Sequence, residues 1–366
     1  MVRVTTAFSA FLAGRSAEML AFEPGVSTPR RFSDSRREHM AVRCAAGLFD
    51  FSFMGCVEIT GSASLELLHS VQTRTLSALP VGRIAYTLLL REDGSVLNDA
   101  TVWRLEPDRY WLFAGRRSDI ESVRRTPRAS NFVAEDLSQR HAVISVQGSA
   151  AWRTIERCFR GQTLEPLPYY GFLRLRFADR ACWLARIGYS GESGYELVTA
   201  DEAAPALWQA LLEHGRDSRL LECGFDATDS LRIEAGHILF TRELASPVTP
   251  GELGLGRLID YYHADYCGKS ALRAQRWSAP RRRLVGLLPA REVAATEHVP
   301  QDISARCGVL TSACWSPLYE RTLGLGFVNT EDARPGTAVT LQGGTRASVA
   351  RLPFYDPGKF LARCVR

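Results

Sequence analysis

Between an apolar run at 183–187 and a second run that resumes at Tyr195, the chain reads Gly188-Tyr189-Ser190-Gly191-Glu192-Ser193-Gly194-Tyr195-Glu196. Three glycines within seven positions enforce a tight turn, because glycine tolerates positive φ and lets backbone come close to a neighbour. An aromatic and two carboxylates decorate the turn, as they would in a loop that reads a ligand. Ordinary surface hairpins also carry glycines and acids, so the pattern needs support from the rest of the chain.

That support begins with organisation. From residue 142 the pattern gives a strand (142–147), a helix (150–159), two strands around the glycine turn, a helix (202–214) and a helix over 227–236 that ends at glycine. The same order occurs earlier. A helix opening at Glu38 is expected to end at Gly47 by the C-cap rule, and strands at 56–60 and 86–90 flank a short amphipathic helix over 64–70. Asp93-Gly94 then joins 85–91 to 95–105, a strong hairpin signal between β-rich runs. A strand at 108–113 and a helix from 119 to 125 complete the first half. Residues 1–40 read as irregular and 273–283 as an arginine-rich linker. Short strands at 284–288, 308–310, 323–328 and 338–352, the last broken by Gly343-Gly344, form a small all-β unit. With 366 residues the chain needs more than one core, so two related α+β units and a β unit are expected.

Composition removes several functions. The net charge of +5 is mild and the arginines are scattered without an aromatic–basic array, which argues against nucleic acid. Nine dispersed cysteines with no C-x-x-C argue against a disulfide framework, and with seven scattered histidines they leave no metal site; a reducing cytoplasm is expected. No run reaches the length of about 20 apolar residues that a membrane span needs. Gly251 to Gly256 contains G-x-x-G-x-G, but Pro250 and the lack of a preceding strand exclude a dinucleotide loop.

Asp99 stands out because it lies inside 95–103, a segment otherwise built as a strand. Aspartate is depleted in strands, and a half-buried carboxylate costs free energy unless something compensates it. A solvent-facing or turn-capping aspartate would give the same local pattern. Arg232, in Asp229-Ser230-Leu231-Arg232-Ile233-Glu234-Ala235-Gly236, could equally serve as a ligand contact or pair with Asp229 or Glu234 along its helix.

Several of these segments together resemble the aminomethyltransferase family, the glycine cleavage T-protein and its relatives. The turn resembles that family's G-Y-x-G-E-x-G-[FYW]-E, and the Arg232 helix its D-[ST]-L-R-L-E-A-G. Leu88-x-x-x-Glu92-x-Gly94-x-x-x-x-Asp99 resembles its strand–turn–strand. Gly47-Leu48-Phe49-Asp50-x-Ser52, Tyr86-Thr87, 249–256, Gly268-Lys269-x-Ala271-Leu272, Gly308-x-x-Thr311-Ser312 and Pro353-Phe354-Tyr355 follow in order, covering nearly the whole chain. The resemblance implies a three-domain cloverleaf around a central folate channel. Residues 1–50 with 136–273 would form a folate-binding α+β domain, 51–135 a second α+β domain carrying Asp99, and 281–366 a C-terminal β-barrel. It implies tetrahydrofolate as cofactor. Glu196 would accept two parallel hydrogen bonds from the pterin edge, Tyr189 would line the pocket, Tyr86 and Arg232 would assist, and Asp99 would act beside the transferred carbon.

Departures from the family pattern cluster at the donor end. Its S-H-M-G reads Ser52-Phe53-Met54-Gly55, its paired acids read Asn98-Asp99, and an expected asparagine region reads Ala114-Gly115-Arg116. Phe53, Asn98 and Arg116 are therefore the candidate donor-pocket residues. They point away from the lipoyl arm of the glycine cleavage H-protein and towards methyl or methylene transfer, including demethylation, from a small N-, O- or S-methyl donor. Two alternatives remain: the T-protein activity itself, and a non-catalytic folate-binding protein that supports iron–sulfur enzymes. The latter's K-G-C-[FY]-x-G-Q-E signature is replaced here by Asp265-Tyr266-Cys267-Gly268-Lys269.

Overall fold

Side chains alternate along a strand, so a sheet covered on both faces must bury both sets. The computed structural model describes residues 6–125, 131–262, 265–296, 299 and 303–363, and its two larger sheets are of this kind. One has six strands in the spatial order Phe172–Phe177, Arg180–Ala185, Gly194–Ala200, His141–Gln147, Ala46–Asp50 and Leu220–Glu222. It is antiparallel except where Leu220–Glu222 lies parallel to Ala46–Asp50. The other is fully antiparallel, in the order Arg83–Leu90, Val96–Glu106, Arg109–Ala114, Gly55–Thr60 and Val133–Asp136. Five further strands, Arg282–Pro289, Arg321–Asn329, Cys307–Ser316, Ala338–Leu341 and Arg346–Ala350, close into a barrel. The chain is thus α+β with a small C-terminal β-barrel. Residues 1–5, 126–130, 263–264, 297–298, 300–302 and 364–366, which fall in or between the expected domain ranges, lie outside the described residues.

The outer face of the six-stranded sheet packs Ile144, Val146, Tyr195 and Leu197 against helical residues such as Phe8, Ile155 and Trp208. Its inner face contributes Val143, Ala185 and Val198 to a central cluster. That cluster also takes Leu88, Trp103 and Phe113 from the five-stranded sheet and Val309 and Phe327 from the barrel. Because alternation has a period of two, Glu196 shares the inner face with Val198, and Asp99 shares it with Trp103. The two acids therefore face one region from different sheets. At their edges the sheets are joined: Arg83 bridges Gly171, the Ile84 N–H donates to the Tyr170 carbonyl at 2.9 Å, and the Phe172 N–H to the Gly82 carbonyl at 3.0 Å.

Three local expectations are corrected. Residues 7–44 are not irregular: they form a helix Ala7–Ala13, a hairpin Glu18–Glu23 with Val26–Arg31, and a helix Ser35–Cys44. Phe8 and Leu12 explain the first helix, since both are buried against the outer face. Gly47 is not a helix cap but a strand residue. An added Cβ there would meet Val42 Cγ2 at 2.6 Å and Cys223 Sγ at 2.8 Å, so close packing is what requires glycine. The linker at 273–283 is bounded by regular structure at both ends, with a helix Lys269–Gln275 before it and the first barrel strand starting at Arg282.

The glycine turn also has a packing origin. A Cβ on Gly188 or Gly194 would lie 2.1 or 2.2 Å from Gln147 Oε1, so the two glycines close over the Gln147 amide. That amide donates to Ser145 Oγ at 2.9 Å and accepts from Ser190 Oγ at 2.8 Å, which pins the turn to the neighbouring strand. Gly191 alone needs its backbone freedom, at φ +81°. Gly194→Ala should therefore cost about 1–3 kcal/mol of stability through overpacking. In a Gln147→Ala background the same substitution should cost far less in denaturant titrations. An equal cost in both backgrounds would remove Gln147 as the cause.

Candidate functional site

Register builds the first half of the site. Leu88 is paired with Asp99 and Tyr86 with Thr101, so Tyr86 and Asp99 are diagonal neighbours on the inner face. The Tyr86 hydroxyl donates to Asp99 Oδ2 at 2.9 Å. Burial raises the Asp99 pKa above its ordinary value, the Tyr86 hydroxyl and a backbone N–H hold it back, and nearby Asp119 adds to the rise. Burial and Asp99 push the Tyr86 pKa well up, so its hydroxyl keeps its proton and remains the donor. Tyr170, at φ +60°, is brought alongside by the sheet-edge junction, and Asp99 contributes to the rise in its pKa as well.

Glu196 is the second half. It is buried, and its directly opposite neighbours are the small residues Ala185 and Ser145. Among the described residues no hydrogen bond or salt bridge reaches its carboxylate. Burial alone pushes its pKa up to about 8. A buried carboxylate left without compensation is costly, and it fits a ligand edge that offers two adjacent N–H donors. Tetrahydrofolate offers such an edge, so this residue is suited to hold it.

Tyr189 lies beside this region but spends its hydroxyl on the Ile238 carbonyl, and its ring stacks on His237 at 5.3 Å. Burial, with Lys359 and Arg232 adding, lowers the His237 pKa to about 3, so the stacked imidazole is neutral. Glu192 is an ion-pair residue: Arg43 Nη1 lies 3.0 Å from its Oε1. Arg232 is fully buried, and its guanidinium makes four hydrogen bonds and a close ion pair. Nε and Nη2 face Asp229 at 2.7 Å, Nη1 donates to Glu243 at 2.8 Å and to the His237 carbonyl at 3.1 Å, and Nη2 donates to Ser312 Oγ at 2.7 Å. Burial opposes its charge, but Asp229 and Glu243 outweigh it and raise the pKa. Where the resemblance has Arg232 assist the folate, these bonds go to protein acceptors. The guanidinium instead clamps the helix Phe225–Glu234 to the barrel.

The three donor-pocket candidates form one connected chain. Phe53 stacks on Phe22 at 4.5 Å, Phe22 lies 5.7 Å from Phe240, and the Arg116 guanidinium sits 5.7 Å from the Phe240 ring. Arg116 pairs with Asp119 at 3.0 Å, and Asp119 also accepts from the Asn98 amide. Asn98 Oδ1 in turn accepts from the Asp99 N–H at 2.9 Å. Phe22, Gln147, Tyr170 and Phe240 escaped the sequence reading. Of these only Tyr170 left a signal, as part of the Pro-Tyr-Tyr run before the strand at 172. Among the described residues no group of three or more His, Cys, Asp or Glu could hold a metal ion.

Two family models match this chain: the GCVT N-terminal domain over residues 8–263 and the glycine cleavage T-protein C-terminal barrel domain over 282–356. The chain belongs to the glycine cleavage T-protein family. It is similar to proteins named aminomethyltransferase from Saccharopolyspora erythraea (36% identity, 90% of this chain and 92% of that one) and Streptomyces coelicolor (36%, 92% and 93%). The crystal structure of glycine cleavage system aminomethyltransferase T from Bartonella henselae superposes with a TM-score of 0.83 at 25% identity, covering 95% of this chain and 97% of that one. T-protein family membership brings with it a folate-dependent enzyme and tetrahydrofolate as cofactor. No helix among the described residues is long and apolar enough to cross a membrane.

The raised pKa of Glu196 has a sign that can be measured. A folded-state pKa of about 8, above the ordinary 4.5, gives stability that is full below pH 4.5 and is lost as the pH rises through 8. Glu196→Gln should therefore raise Tm relative to the unsubstituted protein at pH 9 but not at pH 5. It should weaken tetrahydrofolate binding by roughly 10-fold or more, as loss of bonds to a charged group does. A pH-independent difference in Tm would contradict the assignment.

Proposed function

We propose that this protein is an aminomethyltransferase that moves a one-carbon unit to tetrahydrofolate from a lipoyl-bearing carrier protein, with Asp99 beside the carbon in transit. The observation that carries the reading is the half-buried Asp99–Tyr86 pair on the same inner region as the uncompensated Glu196. For the donor, support comes from the aminomethyltransferases similar to it over nine-tenths of its length. This displaces the small methyl donor favoured by the departures at Phe53, Asn98 and Arg116.

The folate supplies a nucleophilic nitrogen. Glu196 orients the pterin by accepting from its amino edge, and the apolar walls of the central cluster exclude water. Asp99 lies where positive charge develops on the aminomethyl carbon, and its ionised form stabilises that charge. Its raised pKa also suits it to take a proton from the attacking amine, while Tyr86 fixes the carboxylate's orientation. The balance closes without a redox partner. Two N–C bonds form to the carbon, its bonds to the amino nitrogen and the lipoyl sulfur break, and the two folate N–H protons leave with ammonia and the thiol.

One observation favours a second reading, a small-molecule donor. The family's histidine is Phe53 here, packed into the aromatic chain that ends at Arg116 and Asp119. Incubation with aminomethyl-loaded H-protein and tetrahydrofolate separates the two. The first reading expects ammonia and 5,10-methylene-tetrahydrofolate in equal amounts; product only from a small methyl donor would favour the second. Asp99→Asn should lower kcat by roughly 10²- to 10⁴-fold and abolish the acid limb of the pH profile, with folate affinity nearly unchanged. Retained turnover would sink the role of Asp99.

A further inference from the structure

Between residues 266 and 291 the chain carries six arginines and a lysine and no aspartate or glutamate. Near the start of this basic stretch lies an exposed aromatic group arranged around one arginine. The Arg276 guanidinium sits 4.8 Å from the ring centroid of Tyr261, 4.9 Å from Tyr262 and 4.8 Å from Trp277. It also donates to the Tyr262 hydroxyl. Arg273 ties the loop down by donating to the Tyr261 carbonyl at 2.8 Å. Trp277 is 87% exposed and Tyr262 67%, and no other large apolar side chain among the described residues is as exposed as Trp277. Leaving an indole in water forgoes a large burial free energy, so a pre-ordered Trp–Tyr–Arg group on the surface has the composition of an interface hot spot.

Its place in the fold links it to the site. Asp260, one residue before Tyr261, donates its N–H to the Thr73 carbonyl at 2.8 Å, and Thr75 donates to its carboxylate. Between those two threonines, Arg74 donates to the carbonyl of Tyr86 at 3.2 Å, on the residue that holds Asp99. The loop that carries the aromatic group is thus tied, through residues 73–75, to the strand that carries Tyr86.

We propose that Tyr261, Tyr262, Arg276 and Trp277, with Arg273, form the docking surface for an acidic protein that delivers the one-carbon donor on a flexible arm. The proposal rests on the aminomethyltransferase reading. Charge selects the occupant: of the seven cations in this run Lys269 and Arg282 are buried, Arg282 against Glu252, but Arg273, Arg281, Arg283 and Arg291 are exposed and Arg276 half-buried, and these repel a basic surface and steer an acidic one.

Steady-state kinetics of the full chain test this with two donors, the aminomethyl-loaded glycine cleavage H-protein and free aminomethyl-dihydrolipoamide. Trp277→Ala and Arg276→Glu should each raise KM for the carrier by ~10-fold or more. The rate with the free donor should stay within about twofold, which also reports that the variants fold. An unchanged carrier KM overturns the docking surface and leaves the aminomethyltransferase reading standing. A wild-type enzyme that uses the free donor but not the carrier overturns the surface and the carrier half of that reading, and leaves only aminomethyl transfer standing. Ammonia from neither donor overturns that reading and the surface with it. Single-stranded RNA binding that is lost in both variants, with carrier KM unchanged, would give the surface to nucleic acid and overturn the proposal.

Discussion

A carboxylate taken out of water without a counter-charge is among the more costly things a fold can hold, and this one holds Glu196 that way on a central strand. The strand cannot move to relieve it. Gly194–Ala200 is hydrogen-bonded on both sides, and its entry is fixed by the Gln147 amide lodged against Gly188 and Gly194. The small opposite neighbours Ala185 and Ser145 bring no cation, so the carboxylate stays protonated near neutrality until a ligand offers donors. Stability is given up at one residue so that binding can recover it.

Arg232 shows the opposite solution in the same molecule. It carries a charge that is equally buried, but it is compensated by four hydrogen bonds and two carboxylates, and Glu243 opposite it is bonded in turn by Thr311 and Ser312 of the barrel. A fully satisfied buried network rigidifies, whereas an unsatisfied group awaits a partner. That contrast separates the clamped arginine from the glutamate proposed to read the ligand, although both stand in segments that resemble the family's motifs. It also explains why the barrel, which contributes Val309 and Phe327 to the central cluster, is held firmly against the helix Phe225–Glu234.

Much of this architecture was open to reading from the chain. Asp93-Gly94 announces its hairpin, and period-two alternation places Asp99 and Glu196 in strands whose neighbours are apolar. Other features depend on contacts that sequence spacing does not encode. Gly47 obeys a helix-cap pattern yet is glycine because Val42 of the preceding helix and the sequence-distant Cys223 press on it. The helix Ala7–Ala13 has local caps in Thr6, which accepts from the Ser9 N–H at 3.2 Å, and Gly14, but the sheet face that buries Phe8 and Leu12 is not encoded locally. The pairing of Arg232 with Glu243 and Ser312 and the arrival of Tyr170 beside Asp99 both depend on how separate elements meet. Phe53 could be recognised as a departure, but the stacked Phe22 and linked Phe240 that surround it could not.

The central claim is that Glu196 waits in protonated form and is ionised by the ligand. Calorimetric titration with tetrahydrofolate at pH 7, repeated in buffers of different ionisation enthalpy, tests it directly, because a group with a pKa of about 8 must give up its proton to accept two donors. Release of about one proton per folate bound, absent in the Glu196→Gln variant, is the predicted result. Binding with no proton released, or with the same release in the variant, would contradict it.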